Sequence, residues 1–322
     1  SLCEAQIWGV NMKIVTKSEI LTVLRQFDPL LDVESGFVDY SKGLACIPPV
    51  SELVLEKGEV HVKCGYLKAG VHYVIKVASG FYGNSVLGLP SSNGLMMLFS
   101  TETGEAKCLL QDEGILTDHR TAIAGAIVAK YFAPAVVSAI GVVGTGIQAR
   151  LQVKRVSQVT GCKKIIVWGR STEAAERFRR SMQVEGYSVE LIEHLESLAE
   201  KSNLIITTTP SSRPLLSQKM IQAGTLIIAI GTDTPEKQEL DTDILVNATK
   251  IIVDSKKQSL TRGEVSRALR ASAIGEHQVF ELGAEIAKGR RPTMATETTV
   301  VDLTGLAVQD LKIAEFVLNR IN

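Results

Sequence analysis

Apolar and polar positions alternate with a period of two over residues 52–55, 59–63 and 72–77, and again over 96–100 and 106–111. That period turns one face of each segment to a core and the other to water, so the first third predicts an antiparallel or mixed sheet with few helices. A short strand is expected at 12–15, then a helix over 19–27 capped by Ser18. The texture changes near Thr117. Residues 120–132 carry alanine and isoleucine at helical spacing, and Pro134 closes the run. Beyond it, near-uniformly apolar strands are expected at 137–143, 164–167, 188–191, 204–208, 225–229 and 251–254, with helical stretches between several of them. Strands without alternation are covered on both faces, which predicts a parallel sheet. One more strand, 298–301, feeds a helix over 305–319 whose apolar face is Ala307, Leu311, Ala314 and Leu318. A single strand and helix cannot build a third domain. The fold class is therefore α/β: a doubly wound parallel sheet over 122–302, and an α+β domain made of 1–121 and 303–322.

Length and composition agree with two domains: 322 residues, 45% hydrophobic and 22% charged. Lysine plus arginine equals aspartate plus glutamate, 35 each, so no bulk field favours nucleic acid or an anionic membrane as partner. The cluster Arg177, Arg179, Arg180 reads as a solvated helix face. Five cysteines (Cys3, Cys46, Cys64, Cys108, Cys162) include no C-x-x-C pair, which argues against a disulfide framework and for a reducing, cytoplasmic setting. The histidines have no ligand spacing, so no metal is expected. No 18-residue apolar run is present, and 136–143 is too short to span a bilayer. Residues 1–11 lack a basic start and a long apolar core, so they do not read as a secretory signal; a loose leader and a non-native extension both fit them.

The strand from 137 runs into Gly144-Thr145-Gly146-Ile147-Gln148-Ala149 and then a helix. In a Rossmann-type unit Gly144 permits the tight turn, Gly146 lets the backbone approach a pyrophosphate, and Ala149 lets the helix sit close to the sheet. Free N–H groups at the helix start then face the phosphates. The bare G-x-G-x-x-A spacing is weak; its place between strand and helix makes dinucleotide binding the reading here. The next strand ends in Arg170-Ser171-Thr172, with no acid to accept from both ribose hydroxyls. A cation and two hydroxyls suit a 2′-phosphate, which favours NADP(H) over NAD(H). The alternative leaves Arg170 stacked on adenine or in water. Thr208, at the exit of another strand, is placed on the nicotinamide side, although a generic strand exit reads almost as well.

Four polar residues stand in apolar or glycine-rich surroundings. Lys76, in Val74-Ile75-Lys76-Val77, is costly to bury without an anion. Arg120 opens a helix, where its fork can hold a carboxylate. Asp233 follows the strand at 225–229. Lys63 sits in His61-Val62-Lys63-Cys64-Gly65. Each has a bland alternative: snorkelling at a strand edge for Lys76, a turn cap for Asp233, a structural ion pair for Arg120 and Lys63.

Taken with Gly80-Phe81-Tyr82-Gly83-Asn84, Gly88-Leu89-Pro90, Leu116-Thr117-Asp118-His119-Arg120-Thr121-Ala122, Gly231-Thr232-Asp233-x-x-x-Lys237-x-Glu239-Leu240, Val253-Asp254-Ser255, Gly263-Glu264 and Gly305-Leu306-Ala307-Val308-Gln309-Asp310, the sequence from Met12 onward resembles the ornithine cyclodeaminase/mu-crystallin family. The resemblance implies a homodimer, with the Rossmann domain inserted into a substrate-binding and dimerisation domain. It implies hydride transfer between nicotinamide C4 and the α carbon of a small amino or imino acid. It casts Lys76 as the active-site lysine beside the substrate carboxylate, Arg120 as a carboxylate-binding arginine, Thr121 as a cofactor-phosphate contact and Asp233 as the proton-transfer acid. Asn84 falls in the matching glycine-rich loop and is assigned to the substrate. Departures bear on the substrate. Val50 follows Pro48-Pro49 where many members carry a basic residue, and Lys63-Cys64 replaces a Met-Pro pair, so Lys63 is read as a replacement charge on the substrate. Val301 stands for a common phenylalanine, and Leu303 for a small polar residue. These changes favour a reductase of a small α-imino acid, a cyclic ketimine or iminosuccinate. Ornithine cyclodeamination, alanine-type dehydrogenation and a non-enzymatic NADPH-binding crystallin-like role are the alternatives.

Overall fold

The computed structural model describes residues 12–321, and the expectations for 1–11 lie outside them. The chain divides into two compact units: one holds the residues up to Arg120 together with those from Leu306 onward, the other is Thr121–Gly305.

The first unit opens with β1 (Lys13–Thr16), α1 (Lys17–Gln26) and α2 (Leu30–Ser41). Strands β2 (Ala45–Cys46), β3 (Ser51–Val54), β4 (Glu59–Leu67), β5 (His72–Gly80), β6 (Ser92–Ser100) and β7 (Ala106–Gln111) follow. Then α3 (Ile115–Phe132) carries the chain from Arg120 to Thr121 within one helix. The sheet order is β1-β7-β6-β5-β4-β2, with β3 beside β4. Every pairing is antiparallel except β1 on β7.

Helix α1 starts earlier than expected. Thr16, not Ser18, is its cap: the Glu19 carboxylate accepts from the Thr16 N–H at 2.8 Å while the Thr16 hydroxyl accepts from the Glu19 N–H at 3.5 Å. Helix α2 went unread in the sequence. It buries Val33, Gly36 and Phe37. Gly36 lowers helical propensity but has a packing reason, since a Cβ there would lie 3.1 Å from Lys312 and 3.3 Å from Val308.

The second unit contains β8 (Ile140–Val143), α4 (Ile147–Thr160), β9 (Lys164–Trp168), α5 (Thr172–Val184), β10 (Ser188–Leu191), α6 (Leu195–Lys201), β11 (Leu204–Thr207) and β12 (Thr225–Ala229). It continues through α7 (Thr242–Asn247), β13 (Lys250–Val253), α8 (Lys256–Ser259), α9 (Gly263–Arg270), β14 (Val279–Glu281), α10 (Leu282–Ala287) and β15 (Thr298–Asp302). All eight strands are parallel, in the order β10-β9-β8-β11-β12-β15-β13-β14. Strands β8, β11, β12 and β15 are buried along their whole length, which is why their sequences show no alternation. The first of them begins at Ile140 rather than 137; before it, Ser138 is held by the Asn203 side chain at 2.9 Å.

The chain then returns to the first unit as α11 (Ala307–Leu318). This helix packs on β4, β5 and β6, and α2 packs on it in turn. Among the described residues no helix is long and apolar enough to cross a membrane, and Cys46, Cys64, Cys108 and Cys162 are free thiols.

Candidate active site

In the second unit the turn after β8 has the geometry of a phosphate cradle. Gly144 has φ 118°, and a Cβ there would lie 2.5 Å from the Thr208 hydroxyl. Thr208 is itself fixed to the turn, its hydroxyl donating to the Val143 carbonyl at 3.1 Å. Gly146 differs: it is extended (φ −76°, ψ −167°), and a Cβ built on it meets no atom within 4 Å. Nothing in the protein requires glycine at 146. The open space lies at the start of α4, whose cap makes no side-chain hydrogen bond, so its first N–H groups remain available to an anion. Ala149 is fully buried against the sheet. Thr145 completes the turn, Ile147 and Gln148 open α4, and Thr121 is tied to α4 because its carbonyl accepts from Gln152 at 2.9 Å. These residues fit a dinucleotide. Gly146→Val is expected to leave the unfolding temperature nearly unchanged and weaken dinucleotide binding at least about tenfold; equal affinities in a fluorescence titration would remove the cradle from the site.

Arg170 is exposed at the end of β9, directly before α5. Ser171 caps that helix, accepting from the Ala174 N–H at 3.3 Å, and Thr172 opens it. The Ser171 hydroxyl retains its own O–H to donate.

Asp233 lies on the loop after β12, its side chain 46% exposed and 2.6 Å from the ammonium of Lys237. The loop beneath it is latched. Arg262 donates to the Asp233 carbonyl at 3.0 Å. Arg267 spans the carbonyls of Pro235, Glu236 and Lys237 at 3.0, 2.7 and 3.1 Å. Glu239 accepts from the Thr209 N–H and hydroxyl at 2.6 and 2.7 Å and from the Gly231 N–H at 3.0 Å. Glu264 accepts from the Thr232 hydroxyl and the Glu239 N–H, both at 2.6 Å. Burial pushes the Glu239 carboxyl up to about 7 despite those donors, and the neighbouring Glu264 adds to the rise.

In the first unit two buried cations meet one carboxylate, with a third cation nearby. Lys76 is 1% exposed, and its ammonium lies 3.0 and 2.9 Å from the two oxygens of Asp310 on α11. Arg120 Nε is 3.0 Å from the same carboxylate. Lys63, 9% exposed, is the direct cross-strand partner of Lys76. Burial first, then the Arg120 charge, pulls the Lys76 ammonium down to about 7, against the opposing pull of Asp310. Burial works against the charge on Asp310 too, yet Lys76, Arg120 and Lys63 hold its carboxyl below the ordinary range. Snorkelling at a strand edge is therefore not what Lys76 does. Asn84 is engaged within its own loop, donating to the Pro90 carbonyl at 2.9 Å. On the same sheet His61 lies between two carboxylates, 3.6 Å from Glu52 and 3.7 Å from Glu59, a gathering that spacing alone did not show. Each carboxylate faces a different ring nitrogen.

Residues 11–322 match the ornithine cyclodeaminase/mu-crystallin family. The chain belongs to this family. An uncharacterised cyclodeaminase of Sinorhizobium fredii is 35% identical, with 96% of each chain covered. An archaeal alanine dehydrogenase dimer solved with bound NAD superposes with a TM-score of 0.86 at 32% identity, over 96% of this chain and 95% of the other. The Δ1-pyrroline-2-carboxylate reductase of Thermococcus litoralis, in complex with NADH and L-proline, gives 0.89 at 25% identity, over 96% and 97%. The chain thus stands among NAD(P)-dependent oxidoreductases of amino and imino acids.

Within this family member, Asp310 is the residue that sequence reasoning passed over. It appeared there only as the end of a motif, although an acid in the first turn of a largely buried helix is a signal that a cation must meet it. Arg262 and Arg267 gave no such signal, because arginines at the ends of a helix ordinarily face water.

Proposed function

We propose that this protein is an NAD(P)H-dependent reductase of a compact α-imino acid, of the cyclic ketimine or iminosuccinate type. One observation carries the reading: Lys76 and Arg120 are both buried against the single carboxylate of Asp310. Buried cations in excess of their counter-charge call for an anion, and the substrate α-carboxylate supplies it. Arg120 and Lys76 hold that carboxylate. When it binds, its charge restores the Lys76 ammonium that burial had weakened. Asp233, in its acid form or through a water, gives the proton that the imine nitrogen takes up as the C=N bond becomes an amine. Lys237 orients the Asp233 carboxylate between turnovers. The bound nicotinamide supplies the hydride for the α carbon, or accepts it in the reverse direction.

In this reading unit Thr121–Gly305 binds the dinucleotide, through Thr121, Gly144, Thr145, Gly146, Ile147, Gln148, Arg170, Ser171, Thr172 and Thr208. The first unit binds the substrate and carries the contacts of a homodimer. Arg170 with the hydroxyls of Ser171 and Thr172 favours NADPH, a point on which the chain is expected to differ from the relatives solved with NAD or NADH. Fluorescence titration should give tighter NADPH than NADH binding, and Arg170→Ala should erase the difference; equal affinities in the unaltered protein would overturn the preference.

The deciding assay supplies reduced cofactor with pyrroline-2-carboxylate, with oxaloacetate and ammonium, or with pyruvate and ammonium, and separately supplies ornithine with oxidised cofactor. Cofactor oxidation with an imino acid is the expected result. Release of proline and ammonia from ornithine, without net imine reduction, would replace this reading with cyclodeamination.

A further inference from the structure

Two acids of the second unit are buried near each other, and each is only half satisfied. Glu264, 1% exposed, is the second residue of α9, and Asp302, fully buried, ends β15. Asp302 Oδ2 accepts from the Val265 N–H at 2.9 Å, and a Cβ on Gly263 would lie 2.4 Å from the same atom. Glycine at 263 thus lets Asp302 come up against the first turn of α9, where Glu264 stands. Glu264 Oε1 accepts twice, from the Thr232 hydroxyl and the Glu239 N–H, both at 2.6 Å. The other oxygen of each acid, Glu264 Oε2 and Asp302 Oδ1, is buried with no hydrogen-bond partner among the described residues.

The charged groups around the pair bring no donor to these two oxygens. Glu239 and Asp254 are acids themselves. Asp254 already accepts from the Thr304 N–H and hydroxyl, both at 3.0 Å, and from the Gly305 N–H at 2.6 Å. Arg267 acts on Glu264 through its charge, but its guanidinium donates to the carbonyls of Pro235, Glu236 and Lys237. Burial pushes the Glu264 carboxyl up. Burial, then the charge of Glu264, pushes Asp302 well above the ordinary carboxylate range, and Asp254 adds to the rise. Two ionised carboxylates here would repel each other and leave two buried oxygens without donors. One proton removes both costs, since one oxygen then donates and the other accepts.

We infer that Glu264 Oε2 and Asp302 Oδ1 share one proton, and that the pair so formed holds Thr232 and positions the loop carrying Asp233. Glu264 and Asp302 act through Thr232, as positioning residues. Loss of the proton sets like charges against each other and draws Glu264 away from Thr232. The value of this to catalysis rests on the reading of Asp233 above; the shared proton does not.

The test counts protons. Above the ordinary values of 4.5 for Glu264 and 3.8 for Asp302 the unfolded chain has both groups ionised, while the folded protein keeps one proton. The stability this contributes is full below those values and is lost as pH rises, until the folded pair ionises. Each proton so held raises the unfolding constant about tenfold per pH unit. The rise between pH 6 and pH 7, from urea unfolding, should therefore be about tenfold smaller in Glu264→Gln than in the unaltered protein. Asp302→Asn should give the same reduction, and the double variant no more than either, because one proton is removed in every case. Additive reductions mean that each acid keeps its own proton, and no reduction means that both are ionised; either result overturns the inference. If Asp302→Asn does not fold, infrared difference spectra decide: Glu264→Gln should lack one C=O stretch of a protonated carboxyl, and identical spectra overturn the inference. Hydrogen exchange reads the hold on the loop. Protection of the 231–239 amides should fall at alkaline pH in the unaltered protein and persist in Glu264→Gln, whose amide donates at every pH. Loss of protection in both proteins overturns that hold. None of these measurements uses substrate, so their failure leaves the reductase reading standing.

Discussion

Replacing Asp310 with asparagine is expected to destabilise the protein by about 3–5 kcal/mol, the usual cost of stripping the partner from a buried charge. The carboxylate is fully buried, and Lys76 and Arg120 contact it directly. In the variant Lys76 and Arg120 lose the carboxylate that both contact. Combining Asp310→Asn with Lys76→Met should recover part of the loss, because one uncompensated charge goes with its partner. The pH dependence has a definite sign. Lys76 already titrates lower in the folded protein than in the unfolded chain, about 7 against 10.5. The folded state therefore binds fewer protons in that interval, and the penalty, full below about 7, is relieved as pH rises toward 10.5. Without Asp310 the folded value falls further, so relief starts at lower pH. Urea unfolding followed by circular dichroism at pH 6 and pH 9 measures both effects. A loss well under 1 kcal/mol at pH 6 would show that the cations do not depend on Asp310.

Asp233→Asn is expected to lower kcat by about 10²- to 10⁴-fold, the range for removing a positioned proton donor. Dinucleotide affinity and unfolding temperature should change little. The side chain is 46% exposed and its ion pair is with Lys237 four residues on, a contact of modest worth to the fold. The loop is held instead through main-chain carbonyls by Arg262 and Arg267, and from within by Glu239 and Glu264. Single-turnover rates with saturating cofactor separate this effect from binding. An unchanged rate would remove Asp233 from proton transfer.

How much of this the sequence carried differs between the units. The parallel strands were legible because burial on both faces leaves a solid apolar run, as in Leu226-Ile227-Ile228. The glycine turn after β8 was legible because Gly144, at φ 118°, meets a steric demand that few other residues can, and because the G-x-G-x-x-A spacing falls between a strand and a helix. Helix α2 was not, since Gly36 and the acids Asp32 and Asp39 mask a stripe formed by Val33 and Phe37. Thr16 was missed as a cap because it also ends β1, where a threonine is ordinary. The cation group was half legible. A lysine amid valines announces an anion, but its partner Asp310 lies 234 residues away, and no local pattern encodes so distant a meeting.

Strand β15 has a consequence for how the protein is made. It lies between β12 and β13, yet it follows both in the chain, and α11 follows it. A ribosome releases β12 and β13 with a slot between them that residues 298–302 alone can fill. Until then two strands in the middle of the sheet present bare hydrogen-bonding edges, and the first unit lacks the helix that supplies Asp310. Neither unit can finish folding as it emerges. The nascent chain must hold both open, exposed to the mispairing that unpaired parallel edges invite.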